Sequence, residues 1–135
     1  MHTLKQVSDL MKAFGHPVRL QILYELGRDE ACVCHLEAVT GHRQAYISQQ
    51  LMRLREAGLV VDRRDGLNVF YSLSNTSISD LLHAAETVAG GVNGTALDVA
   101  VTLPTGREVG CCCPKCEPET SPYLERENAL TGVCR

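Results

Sequence analysis

A chain of 135 residues, 44% of them hydrophobic, is long enough for one compact domain with a sizeable core and a tail. The net charge of −3 argues against a nucleic-acid affinity of the whole molecule, but the charge is unevenly spread. Residues 1–74 carry nine Lys or Arg and eight Asp or Glu, whereas residues 75–135 carry four and eight. The first part of the chain is therefore able to present a local basic face.

The sequence contains no predicted membrane segment. No stretch approaches the roughly 18 consecutive apolar residues that a membrane span needs. The N-terminus has charges spread through it and no apolar run of signal-peptide length. We therefore expect a cytoplasmic protein without a membrane partner. In that reducing compartment, seven cysteines indicate metal binding or redox chemistry rather than a disulfide framework.

Hydrophobic spacing predicts three helices in the first part of the chain. Residues 4–14 and 18–27 both place apolar side chains three or four residues apart, as an amphipathic helix does. Gly15 and Pro17 separate the two, because they end one helix and start the next. A third, shorter helix is predicted over residues 32–39.

A fourth helix is predicted within residues 42–56, with one apolar stripe and one polar face. At 100° per residue, Leu51 and Leu54 fall within about 40° of Ile47, so these three side chains should be buried together. The residues predicted on the opposite side are Tyr46, Gln49, Arg53 and Glu56.

The pattern then changes to two β-prone runs over residues 59–73, around Asp65-Gly66, which is a strong hairpin signal. Helical spacing returns over residues 77–90. The following stretch could hold a short strand around LDVAVTL or none, and the end of the chain reads as a mobile tail. The predicted fold is mainly α with a small β-hairpin, in a domain over residues 1–90 with a cysteine-rich extension over residues 91–135.

Two short helices joined by a tight turn, followed by a hairpin and another helix, form the order of a winged helix-turn-helix. This fold holds its second helix against the major groove while the hairpin reaches along the DNA backbone. The alternative interpretation is a solvated polar helix followed by an ordinary surface hairpin. We favour double-stranded DNA as the partner because the whole order of elements is much less expected by chance.

The predicted DNA contacts follow from side-chain chemistry. Gln49, helped by Gln44, suits the N6/N7 edge of adenine, and Ser48 and Tyr46 can donate to phosphates or bases. Basic side chains should act by neutralising phosphates, which makes binding salt-dependent. The basic residues concerned are Arg43, Arg53, Arg63 and Arg64.

The chain also resembles the ArsR/SmtB family of metal-responsive transcriptional repressors. The resemblance is carried by FGHPVRLQILYEL, CVCHLEAVTG and ISQQLMRLREAGLVVDRRDGLNVFYSL, and it spans roughly residues 4–88. It implies a homodimer, paired through the first and last helices, that binds an inverted-repeat operator and leaves it when metal binds. One departure is Ser48-Gln49-Gln50-Leu51, where many relatives have S-x-H-L, so the operator sequence does not carry over.

Cys32 and Cys34 occupy the positions of the family's C-V-C motif, on the helix before the reading helix. In a regular α-helix, residues two apart point about 200° away from each other. We expect them to share one ion only at a frayed helix start or after the helix distorts. Unwinding a turn there would shift the adjacent reading helix, and this is our hypothesis for the inducing step. The alternative is that both are small buried hydrophobic side chains.

A trigonal thiolate site needs a third ligand. Some relatives have a cysteine three residues further on, where this chain has Glu37, and others use an N-terminal arm, which here contains no cysteine. We therefore expect the tail to fold back in the same or the partner subunit, although the tail could instead hold its own ion through the C-x2-C pair. The tail candidates are Cys111, Cys112, Cys113 and Cys116.

Thiolate ligands favour soft ions. We expect As(III) or Sb(III) as the inducer, with Cd(II) or Pb(II) close behind, and no organic cofactor. The family's zinc- and nickel-type site on the last helix is absent, because Asn75 and Ser77 stand at its first ligand pair. A second hypothesis keeps the fold but makes the thiols a redox or persulfide switch. A metallochaperone or thiol enzyme is the least favoured, because no His/Asp arrangement is visible beside a cysteine.

Overall fold

The computed structural model describes residues 2–93, and the predicted mainly helical fold with a small β element is confirmed there. The elements are, in chain order, α1 (His2–Phe14), α2 (Pro17–Arg28), β1 (Ala31–Cys32), α3 (Val33–Thr40), α4 (Gln44–Glu56), β2 (Val60–Asp65), β3 (Asn68–Leu73) and α5 (Ser77–Asn93).

The sheet contains one strand more than the predicted hairpin. Three antiparallel strands lie in the order β1-β3-β2, so the hairpin of β2 and β3 is extended by a segment from before α3. Within this sheet, Ala31 pairs with Tyr71 and Cys32 pairs with Phe70. A two-residue strand has no periodicity of its own, and it exists here only because β3 offers a partner edge.

The hairpin loop is displaced by one residue from the predicted turn. Asp65 pairs with Asn68, so the two loop residues are Gly66 and Leu67 rather than Asp65 and Gly66. Gly66 has a φ of 59°. Among the described residues, positive φ angles occur at glycines only. A two-residue loop with glycine first is the pattern of a type II′ turn, whose twist suits the flanking strands.

The helix ends follow local chemistry. The His16 Nδ1 accepts a hydrogen bond from the Val18 N–H at 3.3 Å, and Pro17 occupies the first turn of α2, where its missing N–H costs nothing. After α4, Gly58 turns the chain with a φ of 77°. The last helix continues to Asn93, beyond its predicted end at residue 90.

The core lies where α2, α3 and α4 pack together and meet the start of β2. The predicted stripe of α4 is buried as expected. The largest fully buried side chains are Ile22, Leu23, Leu36, Ile47, Leu51, Leu54 and Val60. Tyr24 ties α2 to α5 because its hydroxyl donates to the Leu82 carbonyl oxygen at 3.4 Å. Burial, together with a hydrogen bond to Glu86, raises the pKa of Tyr24 well above its ordinary value.

Two sequence predictions fall outside the described residues: the optional strand around LDVAVTL and the whole cysteine cluster of the tail. Within residues 2–93, no helix combines the length and apolar character needed to cross a membrane.

Candidate nucleic-acid interface and thiol site

One face of α4 is exposed, and it carries most of the predicted DNA contacts. The exposed residues on it are Gln44, Ser48, Gln49 and Arg53, and exposed Arg43 occupies the position just before the helix. Ile47, Leu51 and Leu54 are all at most 1% exposed, so they fix the helix to the core by its opposite side. The reading face is therefore presented on a rigidly held element.

Tyr46 lies elsewhere than predicted, and Gln50, for which no position was predicted, is buried. Tyr46 is half-buried and packs against the core, with its ring centroid 4.8 Å from that of His42. The Tyr46 side chain therefore lies partly in the core and not fully on the exposed face. Gln50, next to the exposed Gln49, is only 5% exposed, and its Oε1 has no hydrogen-bond partner in the described part of the chain. Of the two adjacent glutamines, Gln49 is the one available to DNA.

The wing, which is the hairpin of β2 and β3, carries the two predicted arginines in different environments. Arg64 is exposed. Arg63 is engaged by Glu30, with Nη2 2.6 Å from Oε1 and Nε 3.2 Å from Oε2, and it also lies 3.7 Å from the Asp65 carboxylate. The hydrogen bond to Glu30 is the main reason why the pKa of Arg63 is raised above its ordinary value. Arg64 therefore offers the more available charge to a phosphate.

The thiol segment, residues 30–35, is built differently from the sequence prediction. Cys32 does not lie in α3 but directly before it, with extended backbone angles (φ −83°, ψ 166°). Its Sγ accepts a hydrogen bond from the His35 N–H at 3.4 Å, so the thiol acts as the N-cap of the helix. The 200° separation within a regular helix therefore does not apply to this pair, because Cys32 precedes α3 and Cys34 lies in its first turn.

The two thiols differ in exposure. Cys32 is 4% exposed and Cys34 is half-buried, and both are thiols rather than disulfides. Within residues 2–93, no group of three or more His, Cys, Asp or Glu side chains is arranged to hold a metal ion. The described part of the chain thus provides at most part of a three-coordinate thiolate site, and the predicted tail ligands lie outside it.

A buried polar pair connects the end of the thiol segment to α2. The Nε2 of His35 is 2.7 Å from Oε1 of Glu25, and both side chains are less than 10% exposed. The other carboxylate oxygen of Glu25 accepts from Nη1 of Arg28 at 3.4 Å. This network joins α2 to the first turn of α3, immediately after the cap formed by Cys32.

Sequence reasoning missed Glu30 and the pair of Glu25 with His35. Arg63 is 33 positions from Glu30, and His35 is ten positions from Glu25. No local pattern relates residues at such separations, because the contacts exist only after β1 has paired with β3 and α3 has packed on α2. A polar residue within an apolar helical stripe, as Glu25 is in α2, was the only available signal.

The exposed polar face of α4, the helix α3 that supports it and the adjacent wing define a winged helix-turn-helix DNA-binding protein.

Comparison with known proteins identifies the family within this class. The family model described as "Bacterial regulatory protein, arsR family" matches residues 16–61. The chain is 39% identical over 83 residues to the biofilm growth-associated repressor of Xylella fastidiosa, covering 62% of this chain and 73% of the relative. The chain belongs to the arsR family of bacterial regulatory proteins.

Two solved structures are similar in fold. The crystal structure of Rv0081 from Mycobacterium tuberculosis has a TM-score of 0.65 and 34% identity, covering 68% of this chain and 93% of that one. A winged helix-turn-helix DNA-binding domain of Mb0332 from Mycobacterium bovis, described as homodimeric, has a TM-score of 0.61 and 32% identity over 65% and 82% of the two chains. The protein is accordingly a DNA-binding transcriptional regulator and not an enzyme.

Proposed function

We propose that this regulator is a repressor that binds an inverted-repeat operator as a homodimer and leaves it when a thiophilic ion binds its cysteines. As(III) or Sb(III) is the first candidate inducer, and Cd(II) or Pb(II) is the second. The single observation that carries the proposal is the position of Cys32 as the thiol cap of α3, one helix before the reading helix α4.

The DNA-binding part of the proposal rests on α4 and the wing. Gln49 is exposed near the middle of the helix, where a side chain reaches base edges, and Arg53 and Arg64 are exposed where phosphates would lie. The X. fastidiosa relative is named a repressor, which supports the same direction of control here. Replacing Gln49 with Ala should weaken operator binding by roughly 5- to 150-fold, the range of one bidentate base contact.

The dimer is supported by apolar side chains that the described protomer leaves exposed. Of seven exposed large hydrophobic residues among those described, three lie on α1 and one on α5. These are Leu4, Val7, Met11 and Val88. Exposed apolar groups on the first and last helices suit a contact with a second copy. A twofold dimer would also place two α4 helices on successive major grooves, as an inverted repeat requires.

The inducer part rests on the thiol chemistry. Thiolates select soft ions. When an ion binds, the Cys32 thiol that now caps α3 would lose its proton and become a thiolate ligand. Cys34 is the second residue of α3 and lies two positions after Cys32. Its side chain is half-buried and therefore partly accessible to an ion. We propose the third ligand from among Cys111, Cys112, Cys113 and Cys116, in the same or the partner subunit.

The test is a titration of the fully reduced, full-length protein with As(III) and separately with Cd(II). Thiolate-to-metal absorption in the ultraviolet and release of fluorescent operator DNA are recorded together. The expected result is release that parallels the absorption change. Release only by an oxidant or polysulfide would reject metal induction and favour the thiol redox switch.

Serine variants identify the ligands. Cys32→Ser and Cys34→Ser should bind the operator normally but no longer respond. A variant with serine at all four tail positions should lose the response if the tail completes the site. Cys134→Ser, which removes the remaining tail thiol, is the matched control and should respond like the wild type. Loss of operator binding by Cys32→Ser in the absence of any ion would instead indicate a structural role.

A further inference from the structure

The short strand β1 connects the thiol segment directly to the wing. Cys32 lies opposite Phe70 on β3, and Phe70 lies opposite Arg63 on β2, so these three residues form one rung across the sheet. Residues directly opposite each other in antiparallel strands point to the same face. The Arg63 guanidinium carbon is 5.1 Å from the centroid of the Phe70 ring, which agrees with that arrangement.

A second connection runs beside this rung. Glu30, two residues before Cys32, accepts two hydrogen bonds from Arg63, at 2.6 Å and 3.2 Å. The Glu30 side chain is 23% exposed, so the pair is partly shielded, and a fork-to-fork geometry holds both side chains in one orientation. The wing is therefore attached to the thiol segment by backbone pairing and by this bidentate ion pair.

We propose that Glu30 and Arg63 are positioning residues that couple the thiol segment to the wing, so that a displacement of Cys32 reorients the wing on DNA. The coupling rests on the proposed function, since it describes how the same thiol site would act on the DNA interface. It adds a route separate from the contact of α3 with α4. It also gives Arg63 a different role from Arg64, because Arg63 holds the wing while Arg64 meets phosphate.

The physical reason is that β1 has only two residues with which to hold the wing. A strand of that length pairs weakly, and a rearrangement at Cys32 changes the same backbone that lies opposite Phe70 in the sheet. Glu30, the residue directly before β1, adds a side-chain contact to this strand pairing through its hydrogen bonds with Arg63. Without that carboxylate, the attachment of the thiol segment to the wing rests on the two-residue strand pairing and is weaker.

A matched control lies on β2, the strand that carries Arg63. Asp62 on β2 pairs with Arg55 of α4 at 3.3 Å, and neither residue belongs to the thiol segment. Glu30→Gln and Asp62→Asn each remove one negative charge and one arginine partner near the DNA face. General electrostatic effects on operator affinity should therefore be similar in the two variants.

The experiment compares wild type, Glu30→Gln and Asp62→Asn as reduced, full-length proteins. The measured quantity is the release factor, defined as the operator Kd with As(III) divided by the Kd without it. Glu30→Gln should lower the release factor by about two- to fivefold, the upper part of the range of exposed ion pairs. Asp62→Asn should keep the wild-type factor, and thiolate-to-arsenic absorption should be unchanged in both variants. Equal release factors in the two variants would overturn the coupling, whether both factors match the wild type or both are lower.

A readout without inducer or DNA separates this inference from the proposed function. Amide hydrogen exchange of Ala31, Phe70 and Tyr71 should be faster in Glu30→Gln than in wild type, and unchanged in Asp62→Asn. If no ion releases the wild type, the proposed function fails while this exchange pattern still reports the attachment. Equal exchange in the two variants would overturn the positioning role whatever the inducer is.

Discussion

The proposed DNA-reading face of α4 and the thiol segment lie on consecutive helices and are built in opposite ways. Gln49 and Arg53 extend from one regular helix into solvent. Cys32 is 4% exposed at the junction of a strand and a helix, where it pairs with β3 and caps α3. A change on the reading face should therefore alter DNA binding alone, whereas a change in the thiol segment is able to affect the sheet, α3 and the wing together.

This difference bears on how a regulator of this kind works. A surface that reads DNA binds best when its helix is held rigidly and its side chains are not engaged in contacts within the protein. A sensing segment must instead be in contact with the elements that it controls, because a ligand alters an equilibrium only through differential interactions with two states. Cys32, in the sensing role that we propose, meets that requirement because it pairs with β3 and caps α3.

The largest expected effect tests the support of the reading face. Leu51→Ala, at a fully buried position, should lower the free energy of unfolding by about 2–5 kcal/mol because it leaves a cavity in the core. Met52→Ala is the control, because the adjacent Met52 side chain is 60% exposed and should cost less than about 0.5 kcal/mol. Urea unfolding measures both, and similar losses would show that α4 does not divide into a core side and a reading side.

The next effect concerns the buried polar pair of Glu25 and His35. Glu25→Ala should destabilise the fold by about 1–3 kcal/mol, because buried His35 loses its hydrogen bond to Glu25. Chemical unfolding measures the loss. Glu37→Ala, on the half-buried side of α3, is the comparison and should cost much less. An unchanged stability of Glu25→Ala would contradict a structural role for the pair.

A smaller effect tests the cap formed by Cys32. Cys32→Ser keeps an acceptor for the His35 N–H, whereas Cys32→Ala removes it. The serine variant should be more stable than the alanine variant by about 0.5–2 kcal/mol, the usual difference at an N-cap. Thermal or urea unfolding of the two variants, without any ion, is the measurement. Equal stabilities would mean that the thiol does not cap α3.

The smallest effect distinguishes the two wing arginines. Arg64→Gln should reduce the dependence of log Kd on log salt concentration by about one, because one phosphate contact is lost. Arg63→Gln should change this slope less, since Glu30 already engages Arg63. Operator titrations at several salt concentrations measure both slopes. The reverse order would assign the phosphate contact to Arg63.

Much of the fold and the exposure of the outer face of α4 could be predicted because both follow from local patterns. The apolar stripe of Ile47, Leu51 and Leu54 was predicted and is buried, and the hairpin, its glycine turn and the four longer helices were found close to their predicted bounds. Tyr46 was placed wrongly, since an amphipathic pattern does not decide how far an aromatic ring reaches back to the core.

The sequence by itself determined the order of elements and the position of the cysteine pair one helix before α4, because hydrophobic periodicity and turn residues act over a few positions. Only the tertiary structure decided that Cys32 belongs to a strand, that Glu30 binds Arg63 and that Glu25 binds His35. The contacts of Cys32 and Glu30 form when β1 pairs with the edge of β3, and the contact of Glu25 with His35 forms when α3 packs on α2. The physical reason is that strand pairing and buried polar contacts depend on which surfaces the packed helices bring together.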